Sequence, residues 1–165
     1  MQNGDHHVVV GSVLAATDKL HDAVPFDNST ILIVIAGENQ GFQGIIINKQ
    51  ISWDVFKELD QQLEPLKQAP LFYGGPVRTQ GLPLVSLARK AINGYVKVSA
   101  GIYFGNPLAT RLAIDGIKSG DQSANDFWFF LGYSSWAWNQ LFVELTAGAW
   151  YLSESTIENL DWPDR

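Results

Sequence analysis

The chain lacks several residue types and patterns, and each absence narrows the function. Its 165 residues include no cysteine, which excludes disulfides, thiolate metal sites and a cysteine nucleophile. No apolar stretch approaches the roughly 20 residues that a membrane-spanning helix needs. Charged residues make up only 17%, the net charge is −6, and no basic run is interleaved with aromatic residues. We therefore expect a soluble chain, cytoplasmic when isolated, that binds neither membranes nor nucleic acid directly.

Apolar residues are abundant. They make up 46% of the chain and include six tryptophans and nine phenylalanines, enough to offset the conformational entropy of folding one domain. We predict a single domain over residues 8–155. The polar start "MQNGDHH" (1–7) is predicted to be a disordered terminus or linker, which favours a segment cut from a longer protein. Residues 156–165 are predicted to form a polar C-terminal tail that Trp162 anchors.

Uninterrupted apolar runs of strand length are typical of strands that are covered on both faces. Runs of this kind are "STILIVIAG" and "GIIINK". Further strands are predicted in "VVVGSVLAA", "LFYGGPV", "GLPLVSLA", "GYVKVSAGIYFG", "FWFFL" and "AWYLSES". Helices are predicted over Ser52–Pro65, from Pro107 with Asn106 as the cap, and from about Ser135 to Ala147. The mixture indicates an α/β fold, with α+β as the alternative.

The segment after "FWFFL" resembles a serine nucleophile elbow. It reads Gly132-Tyr133-Ser134-Ser135-Trp136, close to G-x-S-x-G. The closing glycine is replaced by Trp136, however, and all three histidines precede Ser134, whereas the hydrolase order places the histidine after the serine. The plainer interpretation is a helix cap. A hydrolase or transferase with an unrecognised site near Ser134 and Glu144 is kept as an alternative.

The predicted helix after this turn has two apolar sides. On a helical wheel Trp136 and Trp138 point apart, so the two rings are predicted to face different layers, and Gln140 and Glu144 flank the Trp136 side. Either the helix is packed between two apolar layers, or one side lines a cleft or partner surface.

A glycine turn offers a second candidate site. "YGGPV" places Gly74 and Gly75 before Pro76, with Arg78 two residues further on. Successive backbone N–H groups beside an arginine can form an anion-binding nest, and a simple tight turn is the competing interpretation. His6 and His7 lie in the polar terminus, and no cluster with metal-ligand spacing is present, so no metal is predicted.

Five segments in order resemble the YqgE/AlgH family: "GSVLAAT", "STILIVI", "GFQGIIINK", "YGGPV" and "GYSSWAWNQLFVELTAGAW". The resemblance implies a compact α/β domain with a bent, barrel-like mixed sheet and flanking helices, and it implies no established reaction. The matching positions are Gly44, Asn48, Gly74, Gly75, Pro76, Gly132, Trp136, Gln140 and Glu144. Departures from the family pattern include Gly37 and Val85 where relatives often carry histidine, and Ser135, Asn139 and Phe142 in the helix motif.

These observations together predict a binding module without enzymatic activity or cofactor, which takes a small ligand or a protein partner. The predicted ligand-binding residues are Asn48, Gly74, Gly75, Arg78, Trp136, Gln140 and Glu144. A transcription-regulatory role, which the AlgH name suggests, is a second alternative. An acidic chain without a helix-turn-helix pattern gives it no support as direct DNA binding.

Overall fold

Two sheets form the framework of the computed structural model, which describes residues 7–78 and 81–163. The first sheet contains β1 (Val13–Ala16), β2 (Thr30–Gly37), β3 (Gly41–Ile46), β10 (Ser134–Trp136) and β11 (Trp150–Leu152). Its order is β10-β3-β2-β1-β11, and all its pairs are antiparallel. Residues 1–6, most of the predicted disordered terminus, lie outside the described residues.

The second sheet is mixed. It contains β4 (Gln50–Ile51), β5 (Leu71–Tyr73), β6 (Leu84–Ala88), β7 (Val96–Ser99), β8 (Ile102–Gly105) and β9 (Phe127–Leu131), in the order β4-β5-β9-β6-β8-β7. Only β5 and β9 pair in parallel among these strands. The predicted α/β domain with a mixed sheet and a few flanking helices is confirmed, with the strands divided between two open sheets.

Side chains alternate between core layers along each buried strand. In β9, Phe127 and Phe129 face one layer while Trp128 and Phe130 face another. The layer that contains Trp128 and Phe130 also receives Leu32 from β2 of the first sheet, so it lies between the two sheets. The other two layers pack against helices. For β2 the prediction of a strand covered on both faces is confirmed, since Ile31 and Ile33 lie in the layer under helix α3 (Trp138–Thr146) while Leu32 and Val34 lie between the sheets.

Helix α2 (Pro107–Ser119) packs against β6 of the second sheet. Asn106 Oδ1 accepts a hydrogen bond of 2.8 Å from the Ala109 N–H, and Gly120 ends the helix with φ of 90°. The start matches the predicted Asn106 cap, because a capping side chain is a chemical signal that acts locally.

Helix α3 (Trp138–Thr146) covers the first sheet, and the predicted start at Ser135 is wrong. Ser134, Ser135 and Trp136 form β10 instead, where Trp136 pairs with Phe42 of β3. No serine caps the helix. Its first residue follows Ala137, whose N–H donates to Gln140 Oε1 at 3.2 Å. The helical-wheel positions assigned to Trp136 therefore do not apply.

Only four residues of the predicted helix over Ser52–Pro65 are α-helical. It consists of a 3₁₀ segment (Trp53–Leu59) with a break at Phe56, a four-residue α1 (Asp60–Leu63) and a second 3₁₀ turn (Glu64–Leu66). The Trp53 indole is buried, and its N–H donates to the Ala69 carbonyl at 2.8 Å. This anchor turns the segment onto the second sheet and breaks the regular period.

The C-terminal segment (157–163) contributes side chains to the layer between the sheets. Ile157, Leu160 and Trp162 pack against that layer, and the Trp162 ring lies 6.0 Å from the Trp128 ring. The predicted anchoring by Trp162 is therefore observed. Across the described ranges, no helix has the length and apolar character to span a membrane.

Candidate functional site

The Glu144 carboxylate is the most heavily hydrogen-bonded predicted site group. Its Oε1 accepts the indole N–H of Trp136 at 3.0 Å and that of Trp150 at 2.9 Å. Its Oε2 accepts from Gln140 Nε2 at 3.2 Å. Glu144 and Gln140 lie one helical turn apart on α3, so Gln140 can support the carboxylate that accepts from the two indoles. The structure thus brings together three of the seven predicted ligand-binding residues.

Trp136 is covered by the chain itself. Its side chain is only 4% exposed, and its ring lies 6.4 Å from Phe26 and 6.0 Å from Trp150. Trp138 stacks on Phe42 at 4.7 Å in the same layer, so the prediction that the two tryptophans face different layers is wrong. This geometry favours the packed alternative for the Trp136 side. A direct ligand role for Trp136, Gln140 and Glu144 stays a prediction.

Gly74 and Gly75 follow β5 and lie against Gly132 and Tyr133, where the chain crosses from β9 of the second sheet to β10 of the first. A Cβ on Gly74 would lie 2.2 Å from the Gly132 carbonyl oxygen, and one on Gly75 would lie 2.3 Å from the Tyr133 backbone. Val77 and Tyr133 exchange two backbone hydrogen bonds of 2.9 Å beside this crossing. The glycines therefore permit two backbones to touch. The Gly74 N–H already donates to the Leu131 carbonyl at 2.8 Å, which removes one donor from the suggested anion nest.

Asn48 and Arg78 lie apart from the Glu144 group. Asn48 Oδ1 accepts from the Thr30 N–H, and Asn48 Nδ2 donates to the Asn28 carbonyl, both at 2.9 Å, so its amide ties the start of β2 to the end of β3. Arg78 is exposed, with its guanidinium 5.9 Å from the centre of the Tyr73 ring. The Asn48 amide is therefore used within the fold, whereas the charged side chain of Arg78 is exposed to solvent.

The serine elbow finds no support in the surroundings of Ser134. This side chain is fully buried, and its hydroxyl donates to the Gly74 carbonyl at 3.4 Å. The two described histidines are exposed, and His21 pairs with Asp22 at 2.9 Å. In the described part of the chain, no group of three or more His, Cys, Asp or Glu side chains is placed to hold a metal ion.

A buried hydroxyl chain links β6, α2 and the turn before β7. Ser86 Oγ lies 2.6 Å from the Tyr95 hydroxyl and 2.8 Å from Thr110 Oγ1, which donates to the Gly105 carbonyl at 3.0 Å. Burial raises the pKa of Tyr95 from 10.0 to about 12, against the smaller lowering effect of the hydrogen bonds from Ser86 and Thr110. The chain of hydroxyls is internally satisfied, which indicates a structural role.

A cleft of about 860 Å³ opens at the β4 edge of the second sheet. The strand at this edge, β4, has only two residues. Both core layers beside the sheet contribute to the walls of the cleft. Trp53 comes from the layer under α2, and Phe72, Trp128 and Trp162 come from the layer between the sheets. The Trp128 indole N–H donates to the Asp161 carbonyl at 3.3 Å, so the C-terminal segment forms one wall. Trp53, Phe72 and Trp128 are buried, so they form the base of the cleft, and its accessible surface comes mainly from the surrounding residues.

Three charged side chains line this cleft. Asp54 and Asp161 are exposed, and Lys67 makes an ion pair of 3.0 Å with Glu64. Sequence reasoning missed the cleft because its walls come from four separate segments of the chain. Two tryptophans in the sequence could have indicated it: Trp53, which lies outside the apolar face of the predicted helix over Ser52–Pro65, and Trp162, which stands alone in the polar C-terminal tail.

The family model for AlgH-like proteins matches residues 13–162. The UPF0301 protein CT0663 of Chlorobaculum tepidum is 29% identical over 156 residues, with 91% of this chain and 77% of that protein covered. A UPF0301 protein of Bacteroides thetaiotaomicron is 33% identical over 149 residues, with 87% of this chain and 70% of that protein covered.

Two solved structures are similar in fold. The crystal structure of protein DIP2367 from Corynebacterium diphtheriae matches with a TM-score of 0.68 at 21% identity, covering 94% of this chain and 79% of that one. The solution structure of the AlgH protein from Pseudomonas aeruginosa matches with the same TM-score and identity, covering 94% and 82%. At this level of identity the two matches establish the fold alone.

Proposed function

The chain belongs to the AlgH-like family, and from that premise we propose that it is a non-enzymatic binding module that holds a small ligand in the cleft at the β4 edge. The cleft itself carries the proposal. Its volume of about 860 Å³ falls within the roughly 300–1,000 Å³ typical of ligand sites, and Asp54, Lys67 and Asp161 supply polar groups in its lining.

The hydrogen bonds within the domain support this location over the Glu144 group. Glu144, Trp136 and Gln140 satisfy one another, and a ligand there would have to displace bonds that two buried indoles need. At the cleft, by contrast, Asp54 and Asp161 are exposed. Binding at the cleft therefore requires no internal hydrogen bond to break.

The experiment is a thermal-shift screen over metabolites with one variant that fills the cleft. Gln68 is exposed and lines the cleft, so Gln68→Trp should occlude it, while Gln62→Trp places the same ring on α1 outside the lining. A compound at a hundred times its Kd should add about 2.7 kcal/mol of stability, or roughly 5–10 °C in Tm for a chain of this size. We expect this shift in wild type and Gln62→Trp, and its loss in Gln68→Trp.

Two results would overturn the cleft assignment. One is a screen in which no compound raises the Tm of wild type. The other is a compound whose stabilisation persists in Gln68→Trp but disappears in Arg78→Ala, which would move the site to the Gly74-Gly75 surface that the sequence predicts. Arg78 is exposed, so its substitution leaves the core intact.

A protein partner is the second candidate, favoured by an apolar strip on α3. Val143 is 67% exposed, and Phe142 lines two neighbouring hollows of about 350 and 560 Å³. A second copy of the chain is the simplest such partner. Sedimentation velocity over a range of concentrations should then show a larger species that Val143→Lys removes, and a monomer at every concentration would contradict self-association.

The remaining alternatives receive less support. A hydrolase or transferase at Ser134 would need substrate to reach a fully buried hydroxyl already directed at the Gly74 carbonyl. A transcription-regulatory role would act through a partner, because the net charge of −6 opposes contact with a phosphate backbone.

A further inference from the structure

Asn93 and Gly94 form an exposed turn that contains a side-chain amide and a neighbouring backbone N–H without partners. The turn connects β6 to β7, and a hydrogen bond of 2.9 Å from the Tyr95 N–H to the Ile92 carbonyl closes it. In the described part of the chain, neither the Asn93 side-chain amide nor the Gly94 N–H has a hydrogen-bond partner. Both residues are exposed, so water reaches the two groups.

An asparagine amide and the following backbone nitrogen can react with each other. The Gly94 nitrogen attacks the side-chain carbonyl carbon of Asn93, which forms a C–N bond and closes a succinimide ring. Ammonia leaves and carries away the proton of the Gly94 nitrogen. Water then opens the ring at either carbonyl. One product is aspartate in the ordinary main chain, and the other is isoaspartate, in which the main chain runs through the former side chain.

Gly94 distinguishes Asn93 from the other described asparagines. At positions 7–78 and 81–163, Asn93 alone is followed by glycine. A glycine has no Cβ to crowd the attack, and it turns its N–H at low cost because it tolerates both signs of φ. Gly94 has φ of 90°, in the left-handed range that costs other residues about 1–2 kcal/mol. Asn39 also lies in an exposed turn, but Gln40 follows it.

An isoaspartate at this position would disturb the packing of Tyr95. It adds one carbon to the main chain inside the turn that the Tyr95 N–H and the Ile92 carbonyl close. The Tyr95 hydroxyl lies 2.6 Å from Ser86 Oγ, and its ring packs so tightly on Gly105 that a Cβ there would overlap it. The ring therefore has little room to follow a displaced turn. Ordinary aspartate adds only a charge at an exposed position.

We propose that Asn93 is a site of spontaneous deamidation in the folded domain, and that its isoaspartate product loosens the buried hydroxyl chain of Ser86, Tyr95 and Thr110. The lost amide takes the net charge from −6 to −7. The turn lies beside β7, at the opposite edge of the second sheet from β4, so this modification is independent of the binding proposed for the cleft at the β4 edge.

The first test incubates the folded full-length chain in neutral and mildly alkaline buffer and follows each asparagine by peptide mass spectrometry. We expect Asn93 to be converted at least about ten times faster than Asn39, a ratio that needs only about 1.4 kcal/mol of difference in barrier. Conversion should accelerate with pH, because the attacking nitrogen must lose its proton. Gln40→Gly, which places a glycine after Asn39, should raise conversion there and leave Asn93 unchanged.

Two results would overturn the assignment of the site. One is conversion of Asn93 no faster than that of Asn39 in the folded chain, followed by rapid conversion once urea unfolds it, because the fold would then protect the turn. The other is an unchanged rate at Asn39 in Gln40→Gly, which would remove the role given to the following glycine.

The second test measures the effect on the domain. Ion exchange separates the aged fraction through its extra negative charge, and peptide mapping gives its isoaspartate content. Freshly prepared Asn93→Asp supplies the ordinary product with the same charge. We expect the aged fraction to unfold at a lower urea concentration than Asn93→Asp, and Asn93→Asp to match wild type. An aged fraction rich in isoaspartate but as stable as Asn93→Asp would overturn the effect on the hydroxyl chain.

Discussion

Replacing Glu144 by leucine should destabilise the domain strongly, because the carboxylate satisfies two buried indoles. Trp136 and Trp150 are 4% and 5% exposed, and both N–H groups donate to the same oxygen. Each donor left unpaired costs about 1–3 kcal/mol, and the apolar leucine offsets a part of this. We expect Glu144→Leu to lower the free energy of unfolding by about 2–5 kcal/mol. Glu144→Gln, which keeps an acceptor, should cost about 1–2 kcal/mol.

Urea unfolding followed by circular dichroism measures both effects without relying on tryptophan fluorescence. The m-value should stay constant if only stability changes. Glu154→Leu is the control, since Glu154 is exposed and its substitution should stay within about 0.5 kcal/mol. The decisive comparison repeats Glu144→Leu in a Trp136→Phe/Trp150→Phe background, where no indole donor remains and the cost should nearly vanish. An equal cost in both backgrounds would refute the reasoning.

Two further predictions concern the backbone crossing and the hydroxyl chain. Gly74→Ala should lower the free energy of unfolding by more than about 3 kcal/mol, because its Cβ would lie 2.2 Å from the Gly132 carbonyl oxygen. Gly101→Ala is the control: with φ of 75° and open space around the position, it should cost only about 1–2 kcal/mol. Equal costs in urea unfolding would contradict the close approach of the two backbones at Gly74. From pH 10 to 12 the unfolded Tyr95 ionises while the folded one keeps its proton, because burial raises its folded pKa to about 12. Wild type should therefore lose about 2 kcal/mol of stability over that range relative to Tyr95→Phe, and parallel curves would contradict this.

Local chemistry made much of the fold predictable from the sequence. The strand "FWFFL" was predicted at Phe127–Leu131, and the start of α2 at Pro107, at the positions where the structure has them. In both cases the signal lies within a few residues: a short apolar run covered on both faces, and an Asn-Pro cap.

Non-local contacts decided the parts that the sequence did not predict. Ser134–Trp136 is a strand because β3 supplies hydrogen-bonding partners for its backbone, although these residues continue the helical pattern of α3. The predicted helix from Ser52 is broken at Phe56, and the buried Trp53 indole is hydrogen-bonded to the distant Ala69 carbonyl. In each case a tertiary partner outweighs the local propensity, which is worth only tenths of a kcal/mol per residue.

The same distinction explains why the predicted site residues and the β4-edge cleft differ. A sequence motif makes polar residues conspicuous when they are close together, and residues close together can also satisfy one another, as Gln140 and Glu144 do on α3. The cleft instead collects Asp54 and Asp161 from distant segments, and neither carboxylate finds an ion-pair partner in the described chain. Both carboxylates are exposed and hydrated, so a ligand can reach them without breaking a hydrogen bond of the fold. The search for the function of this domain therefore begins at the cleft, with the indoles of the Glu144 group treated as part of the core.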